Sequence, residues 1–282
     1  MKIKYLLLLF VLGGMGIACS KSDPKEEDSS TTDPQKSTLK VMTYNIHIGN
    51  PPAEGEGVVD LEAIADVIKQ ANPDLVALQE VDRFTDRSGK DLDQAKTLGD
   101  LTDMHYYFAK AIDRSNGEYG VAVLSKFPIL ESETFSLPVN QGTDAELRAA
   151  GLVQVQLANE QRILFVATHL DQKAESNRAL QARELLKVLK PYSAYPVIIG
   201  GDFNMPPESD TWNIIETEFQ MGCSTCPSTF SASNPTTTID YLLLNTIGLD
   251  YFSIKSYDVI LEREASDHLP LVAELEYEVD SE

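Results

Sequence analysis

Residues 197–204 read Val-Ile-Ile-Gly-Gly-Asp-Phe-Asn. A short, uninterrupted apolar run that is β-branched and closed by glycines predicts a strand buried on both faces. The run stops abruptly in an acid and a carboxamide, Asp202 and Asn204. Three other segments repeat this design. Val41-Met-Thr-Tyr ends in Asn45, Leu75-Val-Ala-Leu-Gln ends in Glu80, and Leu164-Phe-Val-Ala-Thr ends in His169. Thr238-Ile-Asp240-Tyr241 starts another strand, and Ser266-Asp267-His268-Leu269-Pro270 precedes the last one. Strands packed in a sandwich end at a common rim, so side chains far apart in sequence can converge there.

Outward from these segments, strands outnumber helices. Strand patterns cover 39–46, 75–78, 106–109, 119–125, 129–137, 150–157, 162–168, 195–199, 239–244, 251–260 and 271–277. Helical spacing appears at 60–71, with Asp60 as its N-cap, at 92–101 and at 174–189, the last ended by Pro191. This balance argues for an α+β sandwich rather than an alternating barrel. The 282 residues and 43% hydrophobic content suit one large globular domain.

Lys and Arg number 23 against 44 Asp and Glu, a formal charge of −21. Such a surface excludes a nucleic-acid coat or an anionic-membrane binder held by bulk charge, since both need Lys/Arg against phosphate. It does not exclude an enzyme that meets phosphate through a metal ion.

The N-terminus reads as an address. Lys2 and Lys4 precede the apolar run 5–12, which is too short for a stable transmembrane helix and fits a secretory signal. Gly16-Ile17-Ala18-Cys19 resembles a bacterial lipobox, with Cys19 lipidated; plain secretion with cleavage near Ala18 is the alternative. Removing residues 1–18 takes away two lysines and no acid, leaving −23. Apart from Pro24 and Pro34, residues 20–38 carry no aliphatic or aromatic side chain. The expected organisation is therefore a signal at 1–18, a flexible tether at 19–38 and one domain at 39–282. Cys223 and Cys226 form a lone CxxC. One pair cannot complete a zinc site, and outside the cytoplasm a local disulfide is expected, with free thiols the alternative.

The strand-end inventory is Asn45, Glu80, Asp202, Asn204, Asp240 and Asp267 with His169 and His268. Carboxylates and amide oxygens suit a hard cation such as Mg²⁺ or Mn²⁺. A metal with two imidazoles is what phosphoester hydrolysis needs. Each piece also has a plainer reading: Asn45 as a turn cap, Glu80 as a solvated carboxylate, Gly-Asp-Phe-Asn as a turn. His105 reads as structural, and His47 is left open.

Taken in order, Thr43-Tyr-Asn-Ile46, Leu78-Gln-Glu-Val81, Glu118-Tyr-Gly-Val-Ala-Val-Leu-Ser125, Thr168-His-Leu170, Gly201-Asp-Phe-Asn204, Ile239-Asp-Tyr241 and Ser266-Asp-His-Leu-Pro270 resemble the endonuclease/exonuclease/phosphatase superfamily, over residues 41 to about 275. The resemblance implies a DNase I-like four-layer α/β/β/α sandwich with two mainly antiparallel sheets face to face. It implies Glu80 as main metal ligand with Asn45 beside it, and Asp267 as a further metal-side or water-positioning carboxylate. It also implies Asp202 orienting or deprotonating water, Asn204 holding the phosphate and His169 binding a phosphoryl oxygen. His268 would be held by Asp240, Tyr119 would shape the pocket, and Arg148 would reach the substrate unless it is spent in a surface salt bridge.

The expected activity is a divalent-metal-dependent phosphodiesterase or phosphomonoesterase acting outside the cytoplasm. The protein is expected as a monomer, membrane-anchored through Cys19 on the outer membrane or cell surface, otherwise secreted or periplasmic. A small-molecule or lipid-headgroup ester is favoured over nucleic acid, because the negative surface repels long polyanions; an extracytoplasmic nuclease is the alternative, and a non-catalytic binding lipoprotein a third. No Lys/Arg-rich inserted loop of the kind that grips DNA is present. Arg83, Arg87, Lys90 and Lys96 give one loop region positive charge, open to a second phosphate or to ordinary surface pairing.

Overall fold

The structure, a computed structural model, describes residues 35–55 and 57–279. The signal and lipidation readings at residues 1–19 lie outside the described residues. The elements run β1 (Gln35–Asn45), a 3-10 turn (His47–Gly49), α1 (Leu61–Ala71), β2 (Leu75–Arg83), α2 (Gln94–Thr102), β3 (His105–Arg114) and β4 (Gly117–Ser125). Then come β5 (Glu131–Leu137), β6 (Arg148–Gln156), β7 (Arg162–His169), α3 (Glu175–Leu189), a 3-10 turn (Lys190–Tyr192), β8 (Val197–Asp202), α4 (Trp212–Ile215) and β9 (Phe219–Met221). The chain closes with β10 (Asp240–Asn245), α5 (Thr246–Tyr251), β11 (Ser253–Val259) and β12 (Leu271–Val279).

Two six-stranded sheets result, in the orders β11-β12-β1-β2-β4-β3 and β5-β6-β7-β8-β10-β9. All pairings are antiparallel except one central pair in each sheet, β1–β2 and β7–β8. Those parallel pairs need crossovers, and α1 and α3 supply them. Val41, Ala77, Val123, Phe165 and Ile198 fill the space between the sheets. Ile64, Ile68 and Leu98 pack on the outer face of the first sheet, and Ala182 and Leu185 on the outer face of the second. The four-layer α/β/β/α sandwich expected from the sequence is what forms.

α1 starts where expected, with the Asp60 side chain accepting from Ala63 N at 2.9 Å. Several bounds differ. Residues 35–38, read as tether, are strand, because β12 runs on to Val279 and pairs Gln35 to Thr38 with Val279 to Glu276. The pattern at 251–260 narrows to β11, which follows the short helix α5 capped by Asn245. α4 and β9 were not expected; both are short and rest on tertiary contacts. Cys223 and Cys226 form the local disulfide. Among the described residues no helix is long and apolar enough to cross a membrane.

One glycine sets the spacing of the layers. A Cβ on Gly200 would lie 2.8 Å from Ala77 Cβ and 3.2 Å from Thr43 Cβ. Its absence lets β8 approach β1 and β2, the strands that end in Asn45 and Glu80.

Candidate active site

Strand register assembles the site. In the second sheet His169 pairs with Asp202, and Asp202 with Asp240, so three functional side chains stand in one row at the rim. Neighbouring strands lie about 4.8 Å apart, within reach of a shared ligand. In the first sheet Asn45 is opposite Gln79, and Glu80 follows. The β2–β4 ladder is irregular between Leu78 and Val81, and Glu80 adopts φ +57°. A bulge re-aims a side chain that regular alternation would have turned elsewhere. Asn204, just past β8, also has positive φ, at +52°. Backbone strain at non-glycine residues gathers at functional sites.

Asp202 is the hub. Its Oδ2 accepts from Asn45 Nδ2 at 3.1 Å and lies 3.5 Å from His169 Nε2 and 3.7 Å from His268 Nε2. Its Oδ1 accepts from Asn204 N at 2.9 Å. Asn45 Nδ2 also donates to Glu80 Oε1 at 3.3 Å, so one amide bridges two carboxylates. The Asn45 oxygen accepts from His47 N at 3.0 Å, so the His47 backbone helps fix the amide's orientation, while its ring bonds Asn50 O at 2.9 Å. His105 lies exposed at the start of β3, away from these contacts.

His268 Nδ1 bonds Asp240 Oδ2 at 2.9 Å, with both residues buried. Burial alone would lower the pKa of His268. The charge and hydrogen bond of Asp240, with Asp202 and Asp267 adding charge, outweigh it and raise the imidazole to about 10. His268 is therefore an imidazolium at neutral pH. His169 goes the other way: burial, then the charges of Arg148 and His268, press it well below the ordinary range. A neutral His169 then accepts at Nε2 from Asn204 Nδ2, 2.9 Å away, and its contact with Asp202 is not an ion pair. Its Nδ1 is buried without a partner among the described residues. Burial, then repulsion by Asp240, raises Asp202 above the usual carboxylate range.

Tyr119 and Arg148 enter from β4 and β6. Both are buried, and the Arg148 guanidinium acts on the Tyr119 side chain as a neighbouring positive charge. Arg148 makes no ion pair among the described residues and its Nε has no partner there, so the surface-salt-bridge reading does not hold. Guanidinium carbons of Arg87 and Arg114 lie 5.4 and 5.9 Å from the Tyr119 ring centroid. The four basic residues of the loop region are all paired: Arg83 with Glu118, Arg87 with Asp82, Lys90 with Asp86 and Lys96 with Asp100.

Two groupings here could hold a cation. Ligand atoms of Asp202, Asp240 and His268 fall within 4.8 Å of one another. Asp240 already occupies His268 Nδ1, however, so that trio behaves as a dyad facing a carboxylate. Glu80 suits a hard cation better. It is half-buried, and among the described residues its carboxylate accepts only from Asn45. Asp267 is likewise half-exposed, with no hydrogen bond to its carboxylate there.

Sequence reasoning missed Thr229 and Phe230. The Phe230 ring centroid is 4.8 Å from that of His268. Thr229 Oγ1 lies 3.2 Å from both Ile239 N and Asp240 N. No local pattern marks either residue, because their partners are remote in the chain.

A sandwich with this rim defines an enzyme class, and sequence comparison agrees. The profile of the endonuclease/exonuclease/phosphatase family matches residues 42–268, and the chain belongs to that family. The family is hydrolytic. Sphingomyelinase C of Bacillus cereus is 29% identical over 225 residues, which is 68% of this chain and 64% of the sphingomyelinase. The chain thus spans under two thirds of that relative. An endonuclease/exonuclease/phosphatase structure from Beutenbergia cavernae superposes with a TM-score of 0.74 at 26% identity, covering 86% of this chain and 72% of the other. The mannosyl-6-phosphatase Bt3783 of Bacteroides thetaiotaomicron has the same fold, with a TM-score of 0.70 at 21% identity, covering 84% of this chain and 99% of the other.

Proposed function

We propose that the protein is a divalent-metal-dependent phosphoesterase that hydrolyses a phosphodiester or phosphomonoester of a small molecule or lipid headgroup. The observation that carries this reading is the rim itself. Asn45, Glu80, His169, Asp202, Asn204, Asp240 and His268, from six separate segments, meet through contacts of 2.9 to 3.7 Å around Asp202.

In this reading Glu80 is the principal ligand of Mg²⁺ or Mn²⁺, with Asn45 beside it and Asp267 as a further carboxylate. The bound cation supplies polarisation of a phosphoryl oxygen. Asp202 orients the attacking water and accepts its proton. Asn204, whose Nδ2 donates to His169 Nε2 at 2.9 Å and to Leu170 O at 3.1 Å, would give up one of these bonds to donate to the phosphate, with His169 beside the same oxygen. The His268 imidazolium, held by Asp240, stabilises charge accumulating on the pentacovalent phosphorus. Arg148 and Tyr119 contact the substrate anion; a buried guanidinium without a carboxylate partner needs an anion to compensate it. Water's oxygen bonds phosphorus as the ester P–O bond breaks, giving an alcohol and a phosphate.

Sphingomyelinase C, by its name, acts on a phospholipid diester, which supports a lipid-headgroup substrate. The surplus of 44 acidic over 23 basic residues weighs against long polyanions. Location belongs to the same proposal: a monomer held outside the cytoplasm by lipid on Cys19.

Hydrolysis of bis-p-nitrophenyl phosphate, p-nitrophenyl phosphate and a phospholipid panel, set beside plasmid nicking, tests the reading. Metal-dependent release from the first three classes is expected. Nicking that outpaces all of them would establish the nuclease alternative, and full activity in excess EDTA would refute the metal.

A further inference from the structure

The segment 229–232 bonds both the start of β10, which carries Asp240, and the loop ahead of β12, which carries His268. Thr229 is wholly buried. Its hydroxyl oxygen accepts from Ile239 N and Asp240 N, both at 3.2 Å, and its carbonyl accepts from Leu269 N at 2.8 Å. One residue thus ties the start of β10 to the residue that follows His268. Phe230 forms backbone bridges to both Thr237 and His268. Its ring lies over the imidazole at 4.8 Å, tilted 50°. Ala232 N donates to Asp267 O at 2.7 Å, closing the strap on the other side of His268.

A short ion-pair hydrogen bond depends steeply on geometry. His268 and Asp240 are 28 residues apart, and no regular ladder joins β10 to β12. Their alignment therefore has to come from elsewhere, and these contacts are where the two segments are fastened together.

We propose that Thr229 and Phe230 are positioning residues of the Asp240–His268 pair. Thr229 sets the register of the two backbones. Phe230 fixes the plane of the imidazole and keeps water off one of its faces. The proposal rests on the functional reading above for its kinetic consequence, though not for its structural one.

The test uses Thr229→Val, Thr229→Ser, Phe230→Leu and, as benchmark, His268→Ala. Each is assayed with bis-p-nitrophenyl phosphate in Mg²⁺, and the low-field proton NMR signal of the His268 Nδ1–H is followed in metal-free protein. Thr229→Val and Phe230→Leu are expected to lower kcat about ten-fold or more, leave KM within two-fold, and shift or broaden the Nδ1–H signal. Thr229→Ser keeps the acceptor and should restore both readouts. Equal losses in the serine and valine variants, or an unmoved signal in valine and leucine variants that melt like the wild type, would overturn the proposal. Should Thr229→Val not fold, Phe230→Leu against wild type decides the matter by the same two readouts. If His268→Ala keeps full activity, the proposed function fails, while the NMR signal still reports whether the strap aligns the pair.

Discussion

Asp240→Asn preserves shape and removes one charge from a buried pair. Asp240 Oδ2 and His268 Nδ1 are 2.9 Å apart. Taking the two charge centres as about 4 Å apart, at an effective dielectric near 20, gives an attraction of roughly 4 kcal/mol. At about 1.4 kcal/mol per unit, that is about 3 pKa units. His268 stands at about 10 in the wild type. In the variant it should titrate near ~7, where Asp202 and Asp267 still oppose the effect of burial. The assay is an NMR titration of the imidazole protons in metal-free protein, with the four histidines distinguished by a His268→Gln sample. A second readout is stability. A histidine raised in the folded state contributes stability that is complete below its unfolded value, about 6.5, and is lost as pH rises through the folded value. The wild type should therefore lose melting temperature between about pH 6.5 and 10, and the variant should lose that slope above ~7. Turnover at pH 8 should fall by about two to four orders of magnitude, the range for loss of a carboxylate that orients a catalytic imidazole. A variant His268 that still titrates near 10 would refute the assignment of the proton to this pair.

Other perturbations give equally definite outcomes. Asp202→Asn should abolish turnover yet raise the melting temperature at pH 8. A carboxylate raised by burial and repulsion is ionised there at a cost, and about 1–2 kcal/mol of relief corresponds to roughly 2–8 °C for a domain this size. The same substitution should make little difference near pH 4, where the wild-type group is protonated. Asp82→Ala removes a wholly buried acid that accepts from Arg87 Nε and Nη2, each at 2.7 Å, and from the Thr85 and Ser88 hydroxyls. With Arg87 about one third exposed at 32%, losing its partner should cost about 1–3 kcal/mol by denaturant unfolding. Glu80→Gln should raise the Mg²⁺ concentration needed for half-maximal activity at least ten-fold, with the melting temperature in EDTA unchanged; an unaltered metal requirement would remove Glu80 from the ligand set.

Much of the fold was legible because its information is local. Apolar strands ending in Asn45, Glu80, His169 and Asp202 announce both a buried sheet and the rim where it stops, since a strand's period fixes which end and face a residue occupies. The parts that were not legible depend on distant partners. Extension of β1 back to Gln35 is dictated by β12, some 240 residues later. Of the charges at Arg83, Arg87, Lys90 and Lys96, Arg83 pairs with a remote acid, Glu118 on β4, whereas the other three pair with Asp82, Asp86 and Asp100 close by in the chain. Thr229 and Phe230 sit in a Ser/Thr/Pro-rich loop without periodicity, and only the folded chain shows them against His268. Arg148 is intermediate. Its position suggested substrate contact, but a surface salt bridge was compatible with the same letters until its burial was known.

The same rim explains why so stable an architecture carries unfavourable features. Glu80 and Asn204 hold left-handed backbone, about 1–3 kcal/mol each by general experience. Asp202 and Asp240 face one another in a buried row, and His169 and Arg148 each keep a nitrogen without a partner among the described residues. None of this helps the sandwich, whose interior layers are otherwise apolar and continuous. Residues that lower stability persist when something outside the folded protein repays them. The groups left unsatisfied are carboxylate oxygens, a guanidinium and an imidazole nitrogen, the complements of a cation and of an anion. A bound metal and phosphate should therefore stabilise this protein together more than either does alone. Thermal melts with Mg²⁺, with phosphate and with both would measure that coupling, and strictly additive shifts would mean that the two ligands do not share this rim.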